Sequence, residues 1–326
     1  MENHLYQGKL SILKSLTPLA EELRSVRINR ERVHDFCSRF SSSRFPHPSW
    51  DFYFIYRDLD EIGVDYFMLM NSLNFCYWGN PKWTVEYRGQ LLDGAFAMFA
   101  ALTRALEEGI PIYDGEWLAE ISRGDLARIL RGRGEIPFLD RRFNICREVG
   151  RVLREKFGGR FYNLVAGAEE SAVSLVRLLV GNFPSFDDSA EWDGNRILFY
   201  KRAQLAPAML CERWQGKGPG AFSDIAELTA SADYKIPQVL RQLGILDYSP
   251  NLAKFIDSQR QIPPASREEL EIRITTLVAC ELIREGLQDR LPGITSQTVD
   301  RLLWTAGQDK GGPERKPYHL TLTTAY

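Results

Sequence analysis

The chain has 326 residues, 44% hydrophobic and 12% aromatic, which is enough to bury a full core and excludes a disordered protein. Its 41 Lys and Arg stand against 43 Asp and Glu, a formal charge of −2, so a small substrate is expected before a nucleic-acid duplex. The longest apolar runs, such as SAVSLVRLLVGNF (171–183) with its Arg177, are too short to span a bilayer.

The opening residues MENHLYQGKL carry neither a basic leader nor an apolar segment, and five scattered cysteines form no CxxC pair. A reducing, cytoplasmic setting is the expectation. The four histidines show no metal-ligand spacing. Loops are expected at 41–50, 181–188, 215–220 and 309–319, and His47 in the first of these reads as a satisfied loop histidine sooner than a ligand. In LNFCYWGNPKW (73–83), Phe75, Tyr77, Trp78 and Trp83 alternate with Asn74, Asn80 and Lys82. That composition suits a stacking platform for a planar base, although ordinary core beside a wet loop is the reading the residues alone favour.

Residues 91–108 predict a helix closing at Gly109-Ile110-Pro111, and 161–181 predict another with Leu164, Ala168, Ser171, Leu175 and Leu178 on one side. Arg128, Arg131, Arg133, Arg141 and Arg142 form a candidate basic patch between them. RILFYKRAQ (196–204) starts with strand-like composition yet also opens a helix pattern, and periodicity does not choose. Within it Lys201, flanked by aromatics, is a solvated charge or a partly buried anion contact.

SADYKIPQVLRQLG (231–244) predicts a short helix with Pro237 at its first position and Gly244 after its end. Asp233 ahead of it is a cap or a catalytic carboxylate, with the cap favoured on pattern alone. Ser266-Arg267-Glu268-Glu269 is a capping box, opening a helix to about Gly286 that is apolar almost all round. Its Glu271, Arg273 and Glu281 must therefore be paired or face a cavity, since an unpaired buried charge is costly. SQTVDRLLWTAG (296–307) predicts a last helix, and KPYHLTLT (316–323) a docked tail whose Tyr318 and His319 are secondary phosphate candidates. Together these elements give one mostly α domain, with two lobes around a cleft.

Eight motifs in series then carry a resemblance: LNFCYWGN, EIPFLDRR (135–142), FPSFDD, FYKRAQL, ADYKIPQVLRQLGIL with YSP beyond it, ELEIR followed by ACELI, VDRLLW and KPYHLT. In this order they resemble the queuosine salvage protein family, from about residue 45 onward; residues 1–44 form a less characteristic N-terminal helical region of the same 1–326 domain. Departures are mild: the family often has arginine where Lys235 stands and isoleucine where Leu205 stands. The resemblance implies a fold similar to helix-hairpin-helix DNA glycosylases and hydrolysis of the N-glycosidic bond of queuosine 5′-phosphate. The products would be queuine, for reuse in tRNA modification, and the sugar phosphate. It implies no metal and no organic cofactor.

By the same resemblance, Asp233 becomes the carboxylate that stabilises the oxocarbenium-like sugar. Lys201 becomes a substrate-contacting cation near the phosphate or ribose. The base is expected against Phe75 or Trp78, with Asn74, Glu281 and, more weakly, Asp300 for polar contacts; His47, Tyr318 and His319 are phosphate donors. Two other functions remain open on sequence: a base glycosylase acting within a polynucleotide, and a non-catalytic binder of modified nucleosides.

Overall fold

The computed structural model describes residues 10–41, 50–308 and 315–326. Its elements follow the chain as α1 (Ile12–Ala20), β1 (Val26–Ile28), α2 (Arg30–Arg39), α3 (Glu61–Ser72), β2 (Thr84–Tyr87), β3 (Gln90–Asp93) and α4 (Gly94–Glu107). Next come α5 (Gly115–Glu120), α6 (Arg123–Ile129), α7 (Leu139–Lys156), α8 (Phe161–Ala166), α9 (Ala172–Asn182), β4 (Ser189–Trp192) and β5 (Asn195–Leu198). The remainder is α10 (Lys201–Arg213), α11 (Lys235–Gln242), β6 (Leu246–Tyr248), α12 (Pro250–Asp257), α13 (Arg267–Leu287) and α14 (Ser296–Ala306). The architecture is mostly α. β2–β3 and β4–β5 are tight antiparallel hairpins, and β1 pairs with the distant β6 through Val26↔Tyr248 and Ile28↔Leu246.

Side-chain oxygens start many helices by accepting orphan backbone N–H groups: Asn29 for α2, Asp60 for α3, Ser171 for α9, Ser266 for α13 and Thr295 for α14. One contiguous hydrophobic cluster runs through the described residues, with α13 and the wholly buried stretch of α3 inside it. The helix expected over 161–181 is broken instead into α8 and α9, because Glu169 and Glu170 both take left-handed φ (51° and 58°). The helix expected from 91 begins at Gly94, its first residues having been drawn into the β2–β3 hairpin. At 196–204 both alternatives are realised: β5 ends at Leu198 and α10 begins at Lys201. α11 begins at Lys235, two residues before Pro237, whose missing N–H still falls in the first turn.

Three of the five arginines of the candidate basic patch are engaged within the fold. Arg131 pairs with Glu108, Arg133 with Glu86 at 2.7 Å, and Arg142 is buried, with its guanidinium donating to the carbonyls of Phe75, Cys76 and Pro137. On α13, Glu271 is buried and its Oε2 accepts the N–H groups of Arg24, Ser25 and Val26 at 3.1, 2.5 and 3.1 Å. A carboxylate thus fastens the α1–β1 connection to the central helix.

α7 lies against α5 at Gly150, where an added Cβ would collide with the backbone of Leu118 and Ala119. Backbone cannot yield as a flexible side chain can, so Gly150→Ala should cost about 1–3 kcal/mol. Urea unfolding followed by circular dichroism checks this, with the loss appearing as a lower midpoint at unchanged slope.

Candidate active site

Between α4, α10, α11, α14 and the segment 74–78 lies a cavity of about 430 Å³, within the range of small-molecule sites. Trp50, Phe96, Phe99 and Trp304 wall one side, the Phe96 and Trp304 rings meeting edge-on at 5.6 Å. α14 runs along the cavity, contributing Asp300, Arg301 and Trp304, with Gly307 and Gln308 just beyond its end. Residues four, seven and eight positions apart share one helix face, which explains why these side together.

The buried end gathers Lys201, Ser231, Asp233 and Asp300. Asp233 is 9% exposed, and its Oδ1 accepts the N–H groups of Lys235 (2.7 Å) and Ile236 (2.9 Å). It therefore does cap α11, and the same two donors and the helix dipole stabilise its negative charge. Asp300 has its Oδ2 on the N–H of Ser231 at 2.7 Å. Burial, and next to it the charge of Asp233, push the Asp300 carboxyl up to about 7, against the pull of Ser231 and Lys201. Burial also drives Lys201 below the ordinary lysine value, with Asp233 and Asp300 opposing the shift.

Asp188, in FPSFDD, holds the start of α10 in place. Its carbonyl takes the N–H groups of Phe199 and Tyr200 and its carboxylate that of Lys201, all at 3.0 Å. Tyr200 accommodates this turn with φ 50°. Arg273 of α13 then joins the two loops that carry Lys201 and Asp233: Nη2 meets Asp188 Oδ2 at 2.6 Å, and Nε donates to the Ala232 carbonyl at 3.2 Å. Phe199 lies under the guanidinium at 3.8 Å, and Glu269 lies 3.7 Å from Nε. Burial opposes the Arg273 charge, but Asp188 and Glu269 outweigh it and hold its pKa above the usual arginine value.

At the rim stand Lys82, Lys235, Arg315 and Tyr318. Lys82 pairs with Asp93 at 2.7 Å, and Lys235 lies over the Tyr318 ring at 5.2 Å. Burial, followed by Arg315 and Lys82, brings Lys235 down to about 8.

Of the residues singled out from sequence, Asn74, Phe75, Trp78, Lys201, Asp233, Asp300 and Tyr318 line this cavity. Phe75 is also committed to the core, with Arg142 and Arg202 over its ring at 4.2 and 5.2 Å. Glu281 does not line it: its carboxylate is taken by Arg284 at 2.6 Å and Ser296 Oγ at 2.6 Å. His319 does not line it either. It is buried behind Tyr326, 3.0 Å from that hydroxyl, and burial followed by Arg273 lowers it to about 3, too low to present a cationic donor. His47 lies outside the described residues. Phe96, Gln297, Trp304 and Arg315 were not anticipated; the α14 residues could have been found by continuing the helical spacing from Asp300.

Two coupled carboxylates and a buried lysine thus meet under aromatic walls in a cavity of small-molecule size. The chain belongs to the queuosine salvage protein family, whose profile, described as "Queuosine salvage protein", it matches over residues 54–326. It is 42% identical over 318 residues to a Sphaerobacter thermophilus protein named queuosine 5′-phosphate N-glycosylase/hydrolase, covering 98% of each chain. A Mus musculus protein of the same name is 37% identical, covering 83% of this chain and 84% of its own. One from Schizosaccharomyces pombe is 30% identical over 78% of this chain and 77% of its own.

Two stability measurements follow from these geometries. Because its folded pKa is raised from 3.8 to about 7, Asp300 contributes stability that is present below the lower value and lost as pH rises through the higher. Asp300→Asn should therefore be more stable than the parent by on the order of 2 kcal/mol near pH 8, with the gap closing toward pH 4. Urea titrations across that range test it. Arg273→Met should lose about 3–5 kcal/mol, as it leaves Asp188 and Glu269 buried without their cation; the unfolding midpoint reports this.

Proposed function

We infer that this protein hydrolyses the N-glycosidic bond of queuosine 5′-phosphate, releasing queuine for salvage into tRNA modification. The observation that carries the reading is the convergence of Asp233, Asp300 and Lys201 in one cavity of a chain with these relatives.

Cleaving a ribosyl C–N bond builds positive charge at C1′. Asp233 is assigned to the face beneath C1′, where a carboxylate fixed by two backbone N–H groups stabilises that charge without reorganising during the reaction. Lys201, at the same buried end, contacts the ribose oxygens. The base lies between Trp78 and the aromatic wall of Phe96 and Trp304, with Asn74 and Gln297 as amide partners. The phosphate is assigned to the rim, where Lys235, Arg315 and the Tyr318 hydroxyl offer donors. Binding there anchors the far end of the substrate and helps orient the reacting end.

A cavity of about 430 Å³ suits a mononucleotide, and the pairing of Arg131 and Arg133 with glutamates leaves less cationic surface for a polynucleotide. We therefore read the substrate as the free nucleotide, with no stable nucleic-acid partner. The thiols Cys37, Cys76, Cys146, Cys211 and Cys280 are all unpaired, which supports a cytoplasmic location.

Incubation with queuosine 5′-phosphate should release free queuine, read by chromatography, and absence of release overturns the assignment. Asp233→Asn separates cap from catalysis, since asparagine caps a helix as well as aspartate does. It should keep its thermal midpoint while kcat falls about 10³-fold or more.

A further inference from the structure

We propose that Asp300 is the general acid of the reaction, delivering a proton to the departing base while Asp233 stabilises the sugar. The inference rests on the function assigned above.

Two carboxylates lining one cavity and facing each other's charge are separated by their surroundings, and that separation assigns acid and base roles. Asp233 accepts two backbone N–H groups at a helix start, whereas Asp300, in the middle of α14, takes both of its donors, the N–H and the hydroxyl, from Ser231. Only Asp233 stands at the positive end of a helix, and burial together with that neighbouring charge raises the Asp300 carboxyl, so the proton resides on Asp300. The groups around Asp300 agree. Asp233 on the loop before α11 opposes its ionisation, Lys201 at the start of α10 favours it, and Cys280 on α13 is a thiol held neutral, chiefly by burial. The net effect is a carboxyl that titrates at about 7.

The substrate's chemistry makes such a group necessary. Departure of a 7-deazaguanine leaves an electron pair on a pyrrole-type nitrogen, a strongly basic leaving group. The N7 at which an ordinary purine takes up a proton is carbon here. A positioned acid must therefore deliver the proton to another atom of the ring system, the departing N9 or the conjugated N3. In the step, the C1′–N bond breaks with its electrons going to the base, and Asp300 gives the base its proton. Water adds its hydroxyl to C1′, and the proton that water gives up restores Asp300. The net reaction consumes one water and forms queuine and ribose 5-phosphate.

Asp300→Asn keeps an oxygen for the Ser231 N–H, so the fold should tolerate it. The test compares queuosine 5′-phosphate with 4-nitrophenyl riboside 5-phosphate, whose phenolate leaves without a proton. Asp300→Asn should lose roughly 10²–10⁴-fold in kcat on the nucleotide yet stay within about threefold of the parent on the nitrophenyl compound. On the nucleotide, the parent's kcat should fall as pH rises through about 7; the variant's should stay level there and fall only at the higher pH where Lys235 loses its proton. Equal losses on both substrates, or the limb at about 7 retained in the variant, would overturn the proposal. If the parent does not accept the nitrophenyl compound, the pH profile decides. A parent that releases no queuine defeats the functional assignment instead, and is thereby distinguishable.

Discussion

The site depends on one buried cation. Arg273 reaches from the central helix to the Asp188 carboxylate on one side and the Ala232 carbonyl on the other. Asp188 fixes the first turn of the helix bearing Lys201, and Ala232 precedes Asp233. Two loops from distant parts of the chain are thereby held at a defined separation by a planar group with several fixed donors, a task a lysine's single point charge could not perform. The network extends outward through Glu269 to the hydroxyl of Tyr326, which in turn meets His319. Such a buried network is worth having only when its members are satisfied together, and this explains why motifs far apart in sequence, FPSFDD, ELEIR and KPYHLT, belong to one structural unit.

Asp233 caps a helix and lines the cavity at once, so the cap does not compete with the catalytic role proposed for it. The N–H groups that need an acceptor at the start of α11 are the same groups that hold the carboxylate in position. Asp300 illustrates the opposite case. It is buried in the middle of a helix, and its ionisation is opposed by that burial and by its neighbour, so the site retains a group that weakens the fold at alkaline pH. Strain of this sort is characteristic of functional sites, where stability is exchanged for reactivity.

The mostly α character, the helix start at Ser266 and the buried charges of α13 were legible because each follows from spacing and local chemistry; the return half of the capping box does not form, since Glu269 accepts from the Ala265 N–H and the Tyr326 hydroxyl. The split between α8 and α9 was not: it turns on two glutamates in left-handed conformation, a geometry their side chains do not announce. Motif membership brought Asp233, Lys201 and Asp300 to notice, but only the fold revealed that they meet. Glu281 and His319 failed as substrate ligands for a shared reason. Their polar atoms are consumed by Arg284, Ser296 and Tyr326, contacts that no sequence pattern encodes. Arg315 and Phe96 were missed because half-buried cations and aromatics carry no pattern that sets them apart along a chain.

α14 acts on the cavity as a graduated rule. Asp300 at the buried end and Gly307 beside the rim are seven residues apart, which is about 10 Å of helix rise, comparable to the span from the base to the phosphate of a nucleotide. An inserted or deleted residue between them would swing everything beyond it by about 100° and carry the rim off the cavity. Side-chain replacements at Arg301 or Trp304, by contrast, would alter the width of the slot at a fixed depth. Divergence toward other nucleotides is therefore open to this helix by substitution and closed to it by changes of length.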